Sequence, residues 1–189
     1  MITRLTAAAG LLALSASFAV AQTPTATPAE PATKADSNLK EWQVAKVAKV
    51  GLAQALATAE SQGDEKGGRA IDADFEKADS KDPAHYAIKV VYPSGKLVEY
   101  GINADTGALY KTENQPIERY FTRLKASDFQ NAKTSLKDAL AIAEQKAGGG
   151  KAYEAEVEKD GSAVQYEIKV AGADKELEIK VGPDGKVLN

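Results

Sequence analysis

Two stretches of the chain carry apolar residues at steps of three and four, one within residues 41–62 and the other within residues 134–147. This spacing places the apolar side chains on one side of a helix, so it predicts two amphipathic helices that each cover a core. The two stripes consist of Val44, Val47, Ala48, Gly51, Leu52, Ala55, Leu56 and Ala59, and of Leu136, Ala139, Leu140, Ala143 and Ala147. Thr134 or Ser135 is predicted to cap the second helix.

After each helix, apolar and polar residues alternate with period two over three successive segments. This alternation predicts half-buried antiparallel strands with one apolar and one charged face. The apolar positions are Ile71, Ala73, Phe75, Tyr86, Ile88, Val90, Val98, Tyr100 and Ile102, and then Tyr153, Ala155, Val157, Tyr166, Ile168, Val170, Leu177, Ile179 and Val181. Turn signals at residues 93–96, 159–162 and 171–175 separate the strands.

The chain repeats itself. GGRAIDADFEK at residues 67–77 and GGKAYEAEVEK at residues 149–159 share six of eleven residues, and each follows one of the predicted helices. The predicted fold class is therefore α+β, with two tandem two-layer units of one helix on a three-stranded antiparallel sheet. A unit of about 60 residues is marginal as a lone core, so the two units are expected to pack together.

The predicted domain boundaries follow composition. Residues 1–21 form a predicted secretory signal peptide, because Arg4 precedes an uncharged run that ends on Ala-Val-Ala. Residues 22–38 are a predicted disordered Pro/Thr/Ala linker. The first repeat spans 39–113, a connector spans 114–133, and the second repeat spans 134–189. The connector is predicted to pack through Ile117, Tyr120, Phe121, Leu124 and Phe129, with Pro116 opening a short helix.

Composition narrows the location and excludes some functions. The chain has no Cys, so disulfides and thiol catalysis are excluded. The predicted signal peptide indicates export, and export without disulfides suits a bacterial periplasm or exterior. Loss of the signal peptide removes one Arg and leaves 23 basic against 27 acidic residues, a net charge of −4. This acidity does not favour nucleic-acid binding. No segment after the signal peptide is apolar enough to suggest a membrane span.

The ordered motifs resemble the PepSY domain family. The first repeat carries YAIKV and then NADTGAL, with Asp105, Thr106 and Gly107, and the second carries YEIKV and then GPDGKVL. The second repeat departs from the pattern, because no Thr separates Asp184 from Gly185. The resemblance implies an extracytoplasmic binding or inhibitory module, as in the propeptides of secreted peptidases. It implies no catalytic residue, and any restrained peptidase is expected to be a separate chain.

His85 and Trp42 are each the single residue of their type. His85 precedes the inward-facing Tyr86, so it is predicted to lie on the outer face as a surface residue. A Ser-His-Asp arrangement would need it, but no nucleophile motif accompanies it, and zinc would need further His or Cys ligands. Trp42 is predicted to staple the first helix onto the sheet or, alternatively, to contact a partner.

The charged faces of the strands suggest a cation site. Carboxylate clusters suit hard cations such as calcium or a trivalent lanthanide. The candidate ligands are Asp72, Asp74, Glu76, Glu99, Glu154, Glu156 and Glu178, with Asp79 and Asp82 of a long hairpin as further candidates. The alternative is that these acids form cross-strand ion pairs with Lys89 and Lys169, which are predicted on the same face.

The sequence thus favours a non-enzymatic periplasmic protein that binds a protein partner, such as a peptidase. Binding would use a sheet edge or the outer sheet face, since an edge offers unpaired backbone groups to an extended peptide. Cation binding or sensing by the acidic faces is the alternative hypothesis, and a hydrolase is disfavoured for want of a nucleophile and base.

Overall fold

The computed structural model describes residues 38–188, except for the side chain of residue 121. The predicted signal peptide and nearly all of the predicted linker lie outside the described residues. The helices are α1 (Glu41–Val47), α2 (Leu52–Glu60), α3 (Pro116–Phe121) and α4 (Leu136–Lys146), with a 3₁₀ helix at Ala126–Asn131. The strands are β1 (Arg69–Glu76), β2 (His85–Val91), β3 (Leu97–Asn103), β4 (Leu109–Asn114), β5 (Lys151–Asp160), β6 (Ala163–Ala171), β7 (Glu176–Val181) and β8 (Val187–Leu188).

The eight strands of the described residues form one antiparallel sheet in the order β4-β3-β2-β1-β5-β6-β7-β8. The predicted α+β class and the helix-on-sheet arrangement are confirmed. The structure adds a fourth strand to each repeat. It also joins the two predicted sheets through β1 and β5, the corresponding first strands of the two repeats. The repeats therefore share one sheet, and the core continues beneath α2 and α4.

The first apolar stripe is not one helix. It is interrupted between α1 and α2, where Ala48 has an extended backbone and Gly51 precedes the first turn of α2. The reason is tertiary, because the N–H of Val50 donates to the carbonyl of Ala104 at 2.9 Å. As a result Val47, predicted to be buried, is 78% exposed, whereas Val50 is buried.

One bond recurs between the strands and the helices. The hydroxyl of Tyr86 on β2 donates to the carbonyl of Val50 at 2.9 Å, and that of Tyr166 on β6 donates to Thr134 at 2.6 Å. Both tyrosines are fully buried, and both acceptors lie just before the N-cap of a helix, Gly51 or Ser135. A buried hydroxyl needs a partner, so this bond fixes where each helix begins on the sheet.

A second recurring bond explains part of the repeated sequence. Glu60 accepts from the backbone N–H of Ala70 at 2.9 Å, and Glu144 accepts from that of Ala152 at the same distance. Each alanine lies beside a β-bulge in the first strand of its repeat. A bulge leaves ladder groups unpaired, so the glutamate at the helix end takes over a bond that the neighbouring strand cannot make.

The connector is only partly packed. Pro116 opens α3 as predicted, and Leu124 and Phe129 pack at the core. Ile117 and Tyr120 do not, because they are 79% and 86% exposed, so the prediction of their burial is wrong. The Phe121 side chain lies outside the described part of the chain.

Trp42 at the start of α1 is partly buried against the core, as a staple requires. Helix α1 contacts β5 and β6 of the second repeat, so it also ties the two repeats together.

Candidate functional site

The sheet face opposite α2 and α4 carries the predicted acids, and the β1–β5 pairing brings two acidic strands side by side. Asp72 lies directly opposite Glu156, and Ala73 lies opposite Ala155. We call Asp72, Asp74, Glu154 and Glu156 the acidic seam. Like charges opposite one another destabilise a sheet, so the seam places four carboxylates where strand pairing alone would not favour them.

The seam changes the acidity of its members. Burial, and after it the negative charges of Asp72 and Glu154, together raise the pKa of Asp74 to about 7. Burial and then the charge of Asp72 likewise raise the pKa of Glu156. A carboxyl group with a pKa near 7 carries a proton for part of the time at neutral pH, which relieves some of the repulsion.

Lysines on the adjacent strands flank the seam. The Nζ of Lys89 lies 2.8 Å from a carboxylate oxygen of Asp72 and 2.8 Å from one of Glu118 on α3. Lys169 makes the corresponding pair with Glu154 at 2.7 Å. Burial opposes the charge of Lys89, but its bonds to Asp72 and Glu118 outweigh this and raise its pKa. The cross-strand pairs of the alternative prediction are therefore present, and α3 is fastened to the outer face.

The other predicted ligands lie apart from the seam. Glu76 lies 3.4 Å from the Nε2 of His85, Glu99 accepts from Gln115 at 3.2 Å, and Glu178 lies opposite Lys169. Asp79 accepts from the backbone N–H groups of Lys81 and Asp82 at 2.7 Å, and these bonds lower its pKa. Within residues 38–188 no three such side chains are arranged to hold a metal ion. The cation site stays a prediction.

His85 is not a surface residue. Its backbone places it on the outer face, as predicted, but its side chain is covered and the residue is only 4% exposed. The ring of Tyr110 on β4 packs edge-on against it, with ring centres 5.0 Å apart, and the Nδ1 of His85 lies 2.8 Å from the carbonyl oxygen of Pro83. The prediction of exposure was wrong because it omitted β4, whose Tyr110 covers the histidine.

Strand β4 forms an open edge of the sheet. It pairs only with β3 among the described strands. The N–H of Gln115 donates to the carbonyl of Leu97, so these two residues form a hydrogen-bonded pair. Hydrogen-bonded and non-hydrogen-bonded pairs alternate along an antiparallel ladder, so the pairs that contain Asn114 and Thr112 are not hydrogen-bonded. The N–H groups of Thr112 and Asn114 therefore point away from the sheet. Leu109 on β4 is 37% exposed, and Ile117 and Tyr120 of α3, which follows β4 in the chain, are 79% and 86% exposed.

The family model of PepSY, described as "Peptidase propeptide and YPEB domain", matches residues 49–113 and 133–183. The chain belongs to the PepSY family and contains two of its domains in tandem, as the sequence motifs indicated. Domains of this family are typically non-catalytic and similar to propeptides. No helix in the described part of the chain is long and apolar enough to cross a membrane.

Among solved structures, the chain is similar to a candidate lipoprotein of Clostridium difficile 630. The two are 23% identical, the match covers 65% of this chain and 81% of the other, and the TM-score is 0.39. A comparison with curated proteins finds no match.

Three features of this region were missed from the sequence. The β1–β5 pairing joins distant segments, and the acids on both strands argue against it. Tyr110 and Thr112 are typical strand residues and could have indicated β4, but the strand has no alternating apolar face. The exposed position of Ile117 and Tyr120 could not be distinguished from a packed helix face by spacing alone.

Proposed function

We propose that this protein is an exported, non-enzymatic PepSY tandem that binds a protein partner through the edge of β4. The partner contributes an extended segment that adds to the sheet as a further strand. A peptidase is the partner class that the family favours, and restraint of its activity is the expected effect. The pattern of residues 1–21 supports export to the periplasm or exterior.

The observation that carries this proposal is the open edge of β4. The strand is six residues long, and most of its residues are exposed. Natural proteins usually protect a sheet edge by keeping it short, as at the other end of this sheet, where β8 has two residues. An edge three times as long with outward N–H groups is suited to pairing with another chain.

Exposed apolar side chains of α3, which follows β4 in the chain, add to this surface. Ile117 and Tyr120 lie on α3 three residues apart, so they project from neighbouring positions of one short helix. The partner could bury them while its extended segment pairs with β4. Lys111 and Glu113 on β4 bond each other at 3.2 Å, so the edge presents little net charge.

The test removes one outward N–H group. Thr112→Pro deletes a donor that does not bond β3, whereas the control Thr112→Val keeps the donor and the shape of the strand. Both variants and the wild-type chain, each carrying a photo-crosslinker at Asn114, are exposed to periplasmic extract. Crosslinked partners are identified, purified and measured for affinity.

We expect one specific partner to crosslink to the wild type and to Thr112→Val, and its affinity to fall about tenfold or more with Thr112→Pro. If the partner is a peptidase, the wild-type chain should slow its cleavage of a peptide substrate. The proposal fails if no specific partner is captured, or if Thr112→Pro binds as tightly as Thr112→Val.

A second candidate function is weak binding of a hard cation at the acidic seam. The opposed carboxylates of the seam favour it, because a cation would relieve the repulsion by Asp72 and Glu154 that adds to the effect of burial on the pKa of Asp74. Calorimetric titration with Ca²⁺ and La³⁺ tests it on the wild type and on Asp72→Asn/Asp74→Asn. Heat that saturates in the wild type and is lost in the double variant supports this function, and no heat above the buffer control ends it.

A further inference from the structure

A cleft lies where the connector passes the start of β1 and the turn between β2 and β3. Its volume is about 600 Å³, and its lining includes Arg69 of β1 and Arg119 and Lys125 of the connector. Ser94 and Ser127 add hydroxyl groups to the lining. We call this site the basic cleft. It is distinct from the acidic seam and the β4 edge, and it concentrates positive charge in an otherwise mildly acidic protein.

The cations of the basic cleft form no ion pair with a carboxylate of the described residues. The eight ion pairs among the described residues all use Lys or His, and none involves Arg69, Arg119 or Lys125. Arg119 is half-buried and held in place by backbone carbonyls, since its Nε donates to Gly95 and its Nη1 to Thr122 and Leu124. Carbonyls fix the guanidinium but leave its full charge.

The acids around the basic cleft have other hydrogen-bond or ion-pair partners. Asp128, between the lining residues Ser127 and Phe129, pairs with Lys159 at 3.0 Å and accepts from the backbone N–H of Lys125 at 2.9 Å. Glu65 accepts from the backbone N–H and the hydroxyl of Ser94 at 2.7 and 2.5 Å. Glu60, whose helix approaches Arg69 from the other side, accepts from Ala70. Neither Glu60 nor Glu65 is within ion-pair distance of a cation in the described part of the chain.

The second repeat has a lysine at the position that corresponds to Arg69, and this lysine forms a hydrogen bond within the protein. Lys151 occupies the position that Arg69 has in the first repeat, and its Nζ donates to the carbonyl of Ala48. Burial lowers the pKa of Lys151. Arg69 is exposed and has no such bond, so its guanidinium fork is available to an incoming group.

We propose that the basic cleft binds an oxyanion, a carboxylate or phosphate group on a small ligand. Guanidinium groups bind these groups through charge-assisted hydrogen bonds, and the exposed fork of Arg69 can form two in parallel. Arg119 offers its Nη2, because its Nε and Nη1 already donate to backbone carbonyls. Clefts of about 300–1,000 Å³ are typical of sites for small molecules. Arg69 and Lys125 supply the second and third positive charges, and Ser127 supplies a neutral donor.

Calorimetry on the purified protein at low salt tests the proposal, with inorganic phosphate and succinate as separate probes. Arg69→Gln and Lys125→Gln each remove one exposed charge, and neither side chain bonds another described residue. Arg123→Gln is the matched control, since Arg123 is exposed on the same connector but does not line the cleft.

We expect saturable binding of at least one probe, weakened about tenfold by Arg69→Gln and a few-fold by Lys125→Gln, and unchanged by Arg123→Gln. Binding should also weaken with added salt. Saturation by phosphate alone assigns the cleft to phosphorylated ligands, and saturation by succinate alone assigns it to carboxylates. The proposal is overturned if neither probe saturates, or if Arg123→Gln weakens binding as much as Arg69→Gln.

Discussion

In the first repeat Tyr86 and Glu60 tie the helix to the sheet, and in the second Tyr166 and Glu144 make the same two bonds. Each repeat thus fixes its helix at both ends, with a buried hydroxyl at the start and a carboxylate at the finish. The residues that recur between the repeats include the ones that make these contacts. The duplication therefore preserves a way of attaching a helix to a bulged strand.

The repeats differ where they meet solvent. The first continues into a six-residue β4, with Tyr110 lying over Gly101 and His85, whereas the second ends in a two-residue β8. The first hairpin has a long loop at residues 77–84, and the second turns tightly at residues 161–162. The basic cleft and the exposed residues Ile117 and Tyr120 also adjoin the first repeat. The shared bonds maintain the fold, and the unshared surfaces are where binding is proposed.

The largest expected effect is on the free energy of unfolding, and it tests whether the two repeats unfold together as one core. Tyr86→Ala and Tyr166→Ala should each lower the free energy of unfolding by about 3–5 kcal/mol, since each removes a buried ring and leaves a carbonyl without its donor. Because the sheet is shared, urea unfolding should remain one transition for both variants. Tyr→Phe at either position keeps the ring and should cost about 1–2 kcal/mol. Two separated transitions would contradict the shared core.

The next comparison concerns the bond from Glu60 or Glu144 to a backbone N–H of the first strand in each repeat. Glu60→Leu and Glu144→Leu each leave a backbone N–H at a bulge without an acceptor, and each should lower the free energy of unfolding by about 1–2 kcal/mol. Glu60→Gln and Glu144→Gln keep an acceptor oxygen and should change it by less than about 0.5 kcal/mol. Urea titration at pH 7 measures all four variants. Equal losses for Leu and Gln at one position would show that the bond does not stabilise that repeat.

The raised pKa of Asp74 predicts that the stability contributed by the acidic seam depends on pH. The pKa of Asp74 is raised from 3.8 to about 7, so the folded protein holds this proton more tightly than the unfolded chain. Stability from this group is therefore complete below pH 3.8 and is lost as pH rises to about 7. Asp74→Asn should raise the free energy of unfolding at pH 8 by about 1–2 kcal/mol, a figure discounted for the partial exposure of the side chain, and by little at pH 4.

Urea unfolding of Asp74→Asn at both pH values checks this prediction, with Asp64→Asn as the control because Asp64 is an exposed loop residue away from the seam. The control should change stability by less than about 0.5 kcal/mol at either pH. A stabilisation by Asp74→Asn that is the same at pH 4 and pH 8 would show that the ionised form of Asp74 is not its cause.

The smallest expected difference lies between the two lysines that flank the seam. Lys89 forms ion pairs with two carboxylates, and its side chain is 19% exposed. Lys169 forms an ion pair with one carboxylate, and its side chain is 37% exposed. Lys89→Met should therefore cost about 1 kcal/mol and Lys169→Met less than about 0.5 kcal/mol. Thermal unfolding at low and high salt measures both. A larger loss for Lys169→Met would reverse the expected ranking.

Local patterns were sufficient to predict much of this fold. The period-two alternation places Asp72 and Glu154 on the outer face and Ala73 and Ala155 beneath the helices, because side-chain direction in a strand is a local property. Ser135 caps its helix and Pro116 opens one, as their positions indicated. These features depend on neighbours in the sequence and need no knowledge of distant contacts.

What could not be predicted depends on contacts between distant segments. The interruption of the first helix depends on Ala104 and Tyr86, which bond Val50 from more than thirty residues away. The burial of His85 depends on Tyr110, and the carboxylates face one another only because β1 pairs with β5. In the candidate site, the acids were predicted individually, but their opposition at the seam and the charge of the basic cleft required the folded chain.

The pairing of Asp72 with Glu156 is the central claim, and the absence of Cys from the chain makes it directly testable. Side chains directly opposite on antiparallel strands have Cβ atoms about 4.5–5.5 Å apart, whereas a diagonal offset of two residues increases this to about 7–8 Å. Asp72→Cys/Glu156→Cys should form an intramolecular disulfide rapidly under mild oxidation, and Asp72→Cys/Glu158→Cys should form it far more slowly. Equal rates for the two pairs, or no intramolecular disulfide in the first, would contradict the shared sheet.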